Sequence, residues 1–266
     1  MKKISISVIT ILLLIGCSKK NNLQDIVKKN MNGLEGTIVF LDLTSNQEII
    51  FNSNLANIRT TPCSTFKIWN TLIGIENNLI NSENDPFYIW DGISRPYPDW
   101  NKNLTLQEAF KVSCVPAYQN LANKIGLKNM QFWITKLNYG DRDTSSGLDI
   151  FWLPMPNKKS ILISPKEQAI LIKQLINNQL SFSEKALRIL KIAMFSKKTD
   201  IGIIYGKTGS GKNINNILEN NIGWYVGHII SKNGKYAFAC LISGKDFGGK
   251  DAKALVEKIL IQSKLL

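Results

Sequence analysis

Histidine is nearly absent from this sequence: His228 is the single one among 266 residues. A zinc centre usually draws on several His or Cys ligands. A Ser-His-Asp triad built on His228 has no supporting nucleophile-elbow motif in this sequence. His228 itself lies in a strand-like run. The sequence therefore argues against a metal-dependent hydrolase and against a histidine-based triad.

Long apolar runs are also missing. The run from Ile4 to Ile15 follows two lysines, and it is too short to span a bilayer comfortably but suits a signal peptide. It ends in Gly16-Cys17, which is similar to a bacterial lipobox with a lipidated cysteine; an ordinary secretory signal is the alternative. We expect residues 1–17 to be a signal and the mature protein to be exported to the periplasm or cell envelope, with membrane anchoring if Cys17 carries a lipid.

Acidic residues are outnumbered, 20 against 33 Lys and Arg, which gives a formal charge of +13. A basic exported protein attracts small anionic substrates. The lysines are scattered over the chain instead of forming a stripe. Together with the export signal, this argues against a nucleic-acid partner.

Cysteine is scarce as well. Cys63, Cys114 and Cys240 remain after the signal, and an odd number cannot pair completely within one molecule. Buried free thiols are the favoured interpretation, and a disulfide near the site discussed below is the alternative.

No internal repeat or low-complexity linker divides the chain. Capping boxes at Thr105–Glu108 and Ser164–Glu167 predict helices in its middle. Strand-like runs lie near both ends: 37–41, 48–51, 203–205, 224–230 and 236–242. The order predicts an α+β protein in which residues 18–266 form one domain. Residues 18–63 and 200–266 build an antiparallel sheet flanked by helices, and residues 64–199 form an inserted, mostly helical lobe.

Ser64 and Lys67 stand three residues apart in a predicted helix. That spacing puts both side chains on one face. A serine hydroxyl becomes a nucleophile when a neighbouring base takes its proton, and a lysine with suppressed charge can do so. The pair alone is common and is more often a surface feature, so its neighbours decide its meaning.

Three further segments accompany the pair. Ser113-Cys114-Val115 offers a second hydroxyl, Lys207-Thr208-Gly209 directly follows a strand, and Phe151-Trp152-Leu153 is an apolar cluster in a loop.

The segment from Gly206 to Asn213 is also close to the P-loop motif of nucleotide-binding proteins. However, Asn213 replaces the required Ser or Thr, and no helix follows. We therefore reject the nucleotide-binding interpretation.

In this order the segments resemble the penicillin-recognising serine enzymes and, among them, the class D (oxacillinase-type) serine β-lactamases. The resemblance runs from about Gly36 to the C-terminus. It implies hydrolysis of the β-lactam ring through a Ser64 acyl-enzyme. Lys67, carboxylated on Nζ by carbon dioxide, would be the general base, and Trp152 would donate a hydrogen bond to the carbamate. Ser113 would pass a proton to the leaving nitrogen.

The resemblance also assigns substrate-binding residues. Lys207 and Thr208 of the Lys-Thr-Gly209 motif would hold the substrate carboxylate. The backbone N–H groups of Ser64 and Ser210 would form the oxyanion hole. Val115 would form part of the wall of the pocket that holds Lys67. It implies no metal and no cofactor beyond carbon dioxide or bicarbonate. A transpeptidase and a β-lactam sensor that stays acylated are the alternatives.

Two departures from the family pattern concern the same site. Asp141 follows Tyr139-Gly140 where the family usually has asparagine, which puts the roles of Tyr139 and Asp141 in doubt. No arginine occurs after Arg188, and Lys250 stands near the place of the usual carboxylate-binding arginine. Trp90, Trp100 and Trp224 are predicted to be core residues.

Overall fold

The structure is a computed structural model that describes residues 23–155, 157–212 and 221–266. The predicted signal at residues 1–17, with Cys17, lies outside the described residues. Within them, no helix is both long enough and apolar enough to cross a membrane.

A six-stranded antiparallel sheet forms the centre of the fold, with strand order β2-β1-β8-β7-β6-β5. The strands are β1 (Glu35–Asp42), β2 (Glu48–Phe51), β5 (Phe195–Lys198), β6 (Gly202–Lys212), β7 (Asn221–Ser231) and β8 (Gly234–Gly244). A separate pair joins β3 (Pro86–Tyr88) to β4 (Leu104–Thr105). The N-terminal hairpin thus pairs with the C-terminal strands through β1 and β8, which confirms the predicted sheet built from both ends.

Helices fill the middle of the chain and cover the sheet. They are α1 (23–31), α2 (Ser53–Ala56), α3 (Lys67–Glu76), α4 (Leu106–Lys111), α5 (Val115–Ile125), α6 (Leu127–Lys136), α7 (Pro165–Ile176), α8 (Glu184–Met194) and α9 (Gly249–Gln262). The short 3-10 turns are Cys63–Phe66 and Pro98–Trp100. Both predicted capping boxes are present, at Thr105 and Ser164, because each side chain accepts from the N–H three residues on. Ser183 caps α8 in the same way.

Two hydrophobic cores lie on opposite faces of the sheet. One is formed with α1 and α9, and includes Val27, Phe40, Phe238 and Val256. The larger one is formed with α3, α5, α7 and α8, and includes Trp69, Leu72 and Trp224. Strand side chains alternate between these two cores, as a sheet covered on both faces requires.

The structure differs from the sequence expectations at several places. Helix α1 was not predicted, and β5 falls in the segment assigned to the helical lobe. Trp224 is fully buried as predicted, but Trp90 is 37% exposed and Trp100 is only partly buried. Cys63, Cys114 and Cys240 are all buried and unpaired, so the disulfide alternative is wrong for these three thiols.

The loop after α6 depends on Gly140. Its φ is +53°, in the left-handed region, and a Cβ there would stand 1.9 Å from the carbonyl oxygen of Leu162. Only glycine fits, because a side chain would add both backbone strain and a clash with rigid backbone. The close approach of the Gly140 backbone to Leu162 joins this loop to the segment that leads into α7.

We expect Gly140→Ala to lower the free energy of unfolding by about 3 kcal/mol, combining left-handed strain with overpacking. Gly33→Ala is the matched control, since Gly33 has φ +80° but no atom lies within 4 Å of the place that an added methyl group would take. It should lose about 1 kcal/mol. Urea unfolding of both variants measures the difference, and equal losses would contradict the role of the Leu162 contact.

Candidate active site

Ser64 and Lys67 meet at the start of the central helix. Residues Cys63–Phe66 form a 3-10 turn that runs directly into α3, whose first residue is Lys67. Nζ of Lys67 lies 2.8 Å from Oγ of Ser64. Ser64 is half-buried, whereas the Lys67 side chain is completely buried. The pair therefore presents a hydroxyl to the surface and its partner amine to the interior.

Burial alters the charge of that amine. Desolvation lowers the pKa of Lys67 to about 7. The ammonium form loses its water shell in this pocket, while the neutral amine loses much less. The ring of Tyr118, whose centroid is 5.3 Å from Nζ, gives only weak compensation. At neutral pH a large share of Lys67 is uncharged and can accept a proton.

Cys63, immediately before the serine, is not a competing nucleophile. Its thiol is buried, and burial raises its pKa to about 12. Thiols react as thiolates, which this environment suppresses. Its backbone has φ +52°, an uncommon value for a residue with a side chain. That left-handed residue turns the chain into the helix at the point where Ser64 begins to protrude.

Trp152 lies in the same buried region. Its ring is stacked on Phe66 with centroids 5.9 Å apart, and its indole Nε1 is buried without a hydrogen-bond partner. Hydrogen bonds from Ser160 Oγ (2.8 Å) and Ile161 N (2.7 Å) to the carbonyl of Phe151 fix the loop that carries it. An orphaned buried donor is costly, so this indole is suited to an acceptor group placed in the pocket.

Asn70 was not among the residues predicted from the sequence. It stands one helical turn after Lys67 on α3, is completely buried, and has no partner for either side-chain polar atom. Residues three apart share a helix face. The spacing Ser64-x-x-Lys67-x-x-Asn70 was therefore the available signal, and it places a second unsatisfied polar group on the face of Lys67.

Ser113 reaches the site from the turn between α4 and α5. It has φ +59°, a left-handed conformation that the three-residue connection imposes. Lys207 Nζ donates to Ser113 Oγ at 2.7 Å and to the Thr208 carbonyl at 3.0 Å. Lys207 is buried, and desolvation together with the charge of Lys67 holds its pKa well below the usual value. The structure thus joins Ser113 and Lys207 across 94 residues of sequence.

Strand β6 brings the Lys-Thr-Gly segment against the turn that carries Ser64. A Cβ on Gly209 would lie 3.1 Å from the Pro62 carbonyl and 3.3 Å from Cys63 Cβ. Glycine allows this close approach of two backbones. The indole of Trp224, on β7, donates to the Thr61 carbonyl at 3.0 Å and holds the same turn to the sheet. The backbones of Ser64 and Ser210 therefore lie in adjoining segments.

The far side of the site is the N-terminus of α9. Gly249 N donates to Ser210 Oγ at 2.8 Å, and a Cβ on Gly249 would touch Thr208 Cβ at 2.7 Å. Lys250 follows directly and is exposed. Lys253, one turn later, lines a cavity of about 230 Å³ beside Lys207 and Thr208. Lys253 was not predicted from the sequence, although its spacing from Lys250 is that of one helix turn.

Other predicted residues have mainly structural surroundings. Val115 begins α5 and is half-buried. Tyr139 is buried and packs edge-on against Phe66 at 5.2 Å. Asp141 accepts hydrogen bonds from the N–H groups of Asp143 and Leu162, which are loop contacts.

Residues 206–212 are strand, so the near match to a P-loop does not form the loop that phosphate binding needs.

Metal ligands do not gather at this site. Throughout the described ranges, no three His, Cys, Asp or Glu side chains group together as ligands would. The polar groups of this site are instead two lysines, a second serine hydroxyl, the orphaned indole of Trp152 and the orphaned amide of Asn70. This set favours chemistry at the Ser64 hydroxyl.

Comparison with known proteins identifies the arrangement. A family model described as the penicillin-binding protein transpeptidase domain matches residues 22–261. The probable β-lactamase YbxI of Bacillus subtilis is 36% identical over 226 residues, which cover 85% of this chain and 80% of YbxI. The regulatory protein BlaR1 of Staphylococcus aureus is 31% identical over 247 residues, which cover 92% of this chain but 41% of BlaR1.

A solved structure gives the same result. FUS-1 (OXA-85), a class D β-lactamase from Fusobacterium nucleatum subsp. polymorphum, matches with a TM-score of 0.82 at 34% identity, covering 91% of this chain and 98% of that one. The family model, the relative and the structure each span most of the sequence, including Ser64, Ser113 and Lys207. The chain belongs to the penicillin-binding protein transpeptidase family and, within it, to the class D serine β-lactamases.

Proposed function

We propose that this protein hydrolyses the β-lactam ring of penicillin-type antibiotics through an acyl-enzyme on Ser64, and so confers resistance. The observation that carries the proposal is the buried Lys67 amine, 2.8 Å from Ser64 Oγ, with its pKa lowered to about 7. A lysine acts as a base only when its amine is unprotonated and within hydrogen-bond reach of the proton that it removes. Lys67 satisfies both conditions.

The acylation step uses residues from three elements. Lys67 takes the proton of Ser64 Oγ as this oxygen bonds to the lactam carbonyl carbon. The carbon–nitrogen bond of the ring then breaks, and Ser113 delivers a proton to the leaving nitrogen. Lys207 Nζ, which donates a hydrogen bond to Ser113 Oγ at 2.7 Å, can then return a proton to Ser113. The backbone N–H groups of Ser64 and Ser210 stabilise the oxyanion, an effect of roughly 3–4 kcal/mol per donor in comparable sites.

Carboxylation of Lys67 fits the residues that surround it. Only an uncharged amine adds carbon dioxide, and the pocket favours the uncharged amine. The indole Nε1 of Trp152 is a buried donor without a partner, suited to an added anionic oxygen. When present, the carbamate would supply an anionic oxygen as the base at the same place. Release of the acyl group then needs a water molecule whose proton is taken at Lys67.

Substrate recognition is proposed to depend on the lysines on one side of the cleft. Lys207 and Thr208 would bind the substrate carboxylate, with Lys207 in its protonated form, and Val115 would contribute to the wall of the pocket. Lys250 is the proposed second cation, because α9 is fixed against Thr208 and Ser210 immediately before it. A lysine offers a single point charge instead of the two-pronged contact of an arginine.

The proposed setting of the enzyme is the periplasm or cell envelope. Two lysines, the apolar run and the Gly16-Cys17 sequence support cleavage of a signal, with a lipid on Cys17 as the form that would tether the enzyme to the membrane. Hydrolysis at that location removes the antibiotic before it reaches its targets.

A β-lactam sensor is the second candidate, because the similarity to BlaR1 covers 92% of this chain. Sensor and hydrolase share acylation and differ in the lifetime of the adduct. Incubation with penicillin, followed by mass spectrometry, should show an adduct on Ser64 that disappears within seconds to minutes while penicillin is consumed. Ser64→Ala should form no adduct, and Ser53→Ala, at an exposed serine on α2, should behave as the wild type. A stoichiometric adduct that persists would identify a sensor or a transpeptidase.

Lys67 makes the activity dependent on pH and on bicarbonate. The neutral amine predominates above its pKa, so at pH 6 about a tenth remains neutral if the pKa is 7. In degassed buffer, kcat should therefore fall about tenfold between pH 8 and pH 6, and bicarbonate at constant pH should restore part of it.

Trp152→Phe tests the indole in the same assay. Without the Nε1 donor, the bicarbonate concentration needed for half-maximal activity should rise about tenfold. Trp133→Phe, in a buried ring stacked on Phe182, is the matched control and should leave that concentration unchanged. A wild-type enzyme indifferent to bicarbonate would refute carboxylation, whereas the acyl-enzyme would remain measurable by mass.

The choice between two neighbouring lysines is testable by KM. Lys250 makes no ion pair with the described residues, whereas Lys253 lies 3.7 Å from Glu257 Oε1. Lys250→Ala should therefore raise KM for penicillin several-fold with little change in kcat, and Lys253→Ala should raise it less. The reverse order would assign the carboxylate contact to Lys253.

A further inference from the structure

Helix α4 ends just before Ser113, and the way it ends sets the backbone conformation of that serine. The C-cap residue is Val112. The N–H of Ser113 donates to the carbonyl of Phe110 at 3.2 Å, and the N–H of Cys114 donates to the carbonyl of Ala109 at 2.9 Å. These two bonds form a Schellman motif, in which the residue after the cap is usually a left-handed glycine. Here that residue is Ser113, with φ +59°.

A left-handed serine is strained, because its Cβ crowds the backbone. Strained residues keep their conformation only where the surrounding structure over-determines it. One restraint is the hydrogen bond that Lys207 Nζ donates to Ser113 Oγ at 2.7 Å. That bond involves the atom that the proposed reaction uses, so it changes during catalysis. A restraint on the backbone of Ser113 would persist through the reaction.

The indole of Trp100 supplies a restraint of that kind. Its Nε1 donates to the Val112 carbonyl at 3.0 Å. This carbonyl is one of the acceptors at the end of α4 that lack a partner within the helix. Its oxygen lies in the plane of the peptide that joins Val112 to Ser113. The hydrogen bond from Trp100 therefore fixes the peptide plane from which Ser113 extends.

The loop that carries Trp100 is braced by its own contacts. Asn101 Oδ1 accepts from the N–H of Arg95 at 2.8 Å, and Asn101 Nδ2 donates to the Arg95 carbonyl at 3.0 Å. The Arg95 guanidinium forms an ion pair with Asp91 at 2.6 Å. The ring of Tyr97 lies against that of Trp100, with centroids 4.4 Å apart. These contacts all lie within the loop, so they hold the indole without drawing on α4.

We propose that Trp100 is a positioning residue for the proton transfer assigned to Ser113. Through Val112, its indole N–H holds the serine hydroxyl where it can receive a proton from Lys207 and pass one to the leaving lactam nitrogen. The inference rests on the proposed hydrolytic function, in which Ser113 acts while the acyl-enzyme on Ser64 forms. In the acyl-enzyme the carbon–nitrogen bond is already broken, so deacylation does not need this proton. Trp100 therefore acts on acylation and not on deacylation.

Trp100→Phe removes the indole donor and keeps an aromatic ring. Acylation can be followed in a single turnover of penicillin with enzyme in excess, by mass spectrometry of samples quenched at successive times. The acylation rate of the variant should fall about tenfold, which is part of the roughly 10²- to 10⁴-fold contribution of a general acid. The rate at which the preformed adduct is lost should stay near the wild-type value. A merely structural role would slow both steps.

Trp90→Phe is the matched control, because it removes an indole donor of the same loop whose acceptor is the Ile93 carbonyl, at 2.9 Å. It should acylate at the wild-type rate. Replacement of Trp100 by benzothienylalanine exchanges the N–H for sulfur and retains the bicyclic ring. It should also slow acylation, and it serves as the test if Trp100→Phe does not fold.

Two results would overturn the positioning role: acylation at the wild-type rate in the Trp100 variants, or a loss shared equally by acylation and deacylation. A wild-type protein that forms no adduct on Ser64 would instead refute the proposed function. The acylation rate can be measured whether the adduct is later hydrolysed or persists, so the two failures are distinguishable.

Discussion

The burial of one lysine amine is the constraint on which this structure depends. Every residue of α3 from Lys67 to Ile75 is buried, so the helix that carries the base passes through the middle of the molecule. A cleft residue such as Ser64 can stay half-exposed because it precedes the helix in a separate 3-10 turn. The same helix packs closely at Gly74, where a Cβ would stand 2.9 Å from the Leu121 side chain. The lowered pKa of Lys67 follows from the burial of its amine in this core.

The sheet contributes a different constraint, which is access at one edge. Strand β5 pairs only with residues 203–205 of β6. The Lys207 to Ser210 part of β6 therefore has no β5 residue beside it. An open edge normally invites unwanted strand pairing. Here it lies against the Ser64 turn, and Gly209 lets the two backbones approach. The uncovered part of β6, from Lys207 to Ser210, therefore forms one wall of the cleft that contains Ser64.

Much of the fold and the site could be predicted from local sequence. The capping boxes at Thr105 and Ser164 mark helix starts through hydrogen bonds within four residues, and strand-like apolar runs mark parts of β6 to β8. The motifs fixed which residues would meet, because their order resembles a known family. The prediction that Trp90 is a core residue was wrong, since its exposure depends on what packs over it. Asn70 was missed because its significance arises only once Lys67 is known to be buried beside it.

Two buried lysines in one site pose an electrostatic problem that carboxylation would solve. Lys67 and Lys207 are both enclosed, and the charge of Lys67 is one of the causes that lower the pKa of Lys207. Two ammonium groups taken out of water repel each other with little solvent screening. Under the proposed mechanism, addition of carbon dioxide gives Lys67 a negative charge, and the repulsion becomes an attraction. Lys207 then regains its proton more readily, which is the form that can bind a substrate carboxylate and supply Ser113. Under that mechanism, Lys67 as the base and Lys207 as the anion-binding lysine would function as one coupled pair.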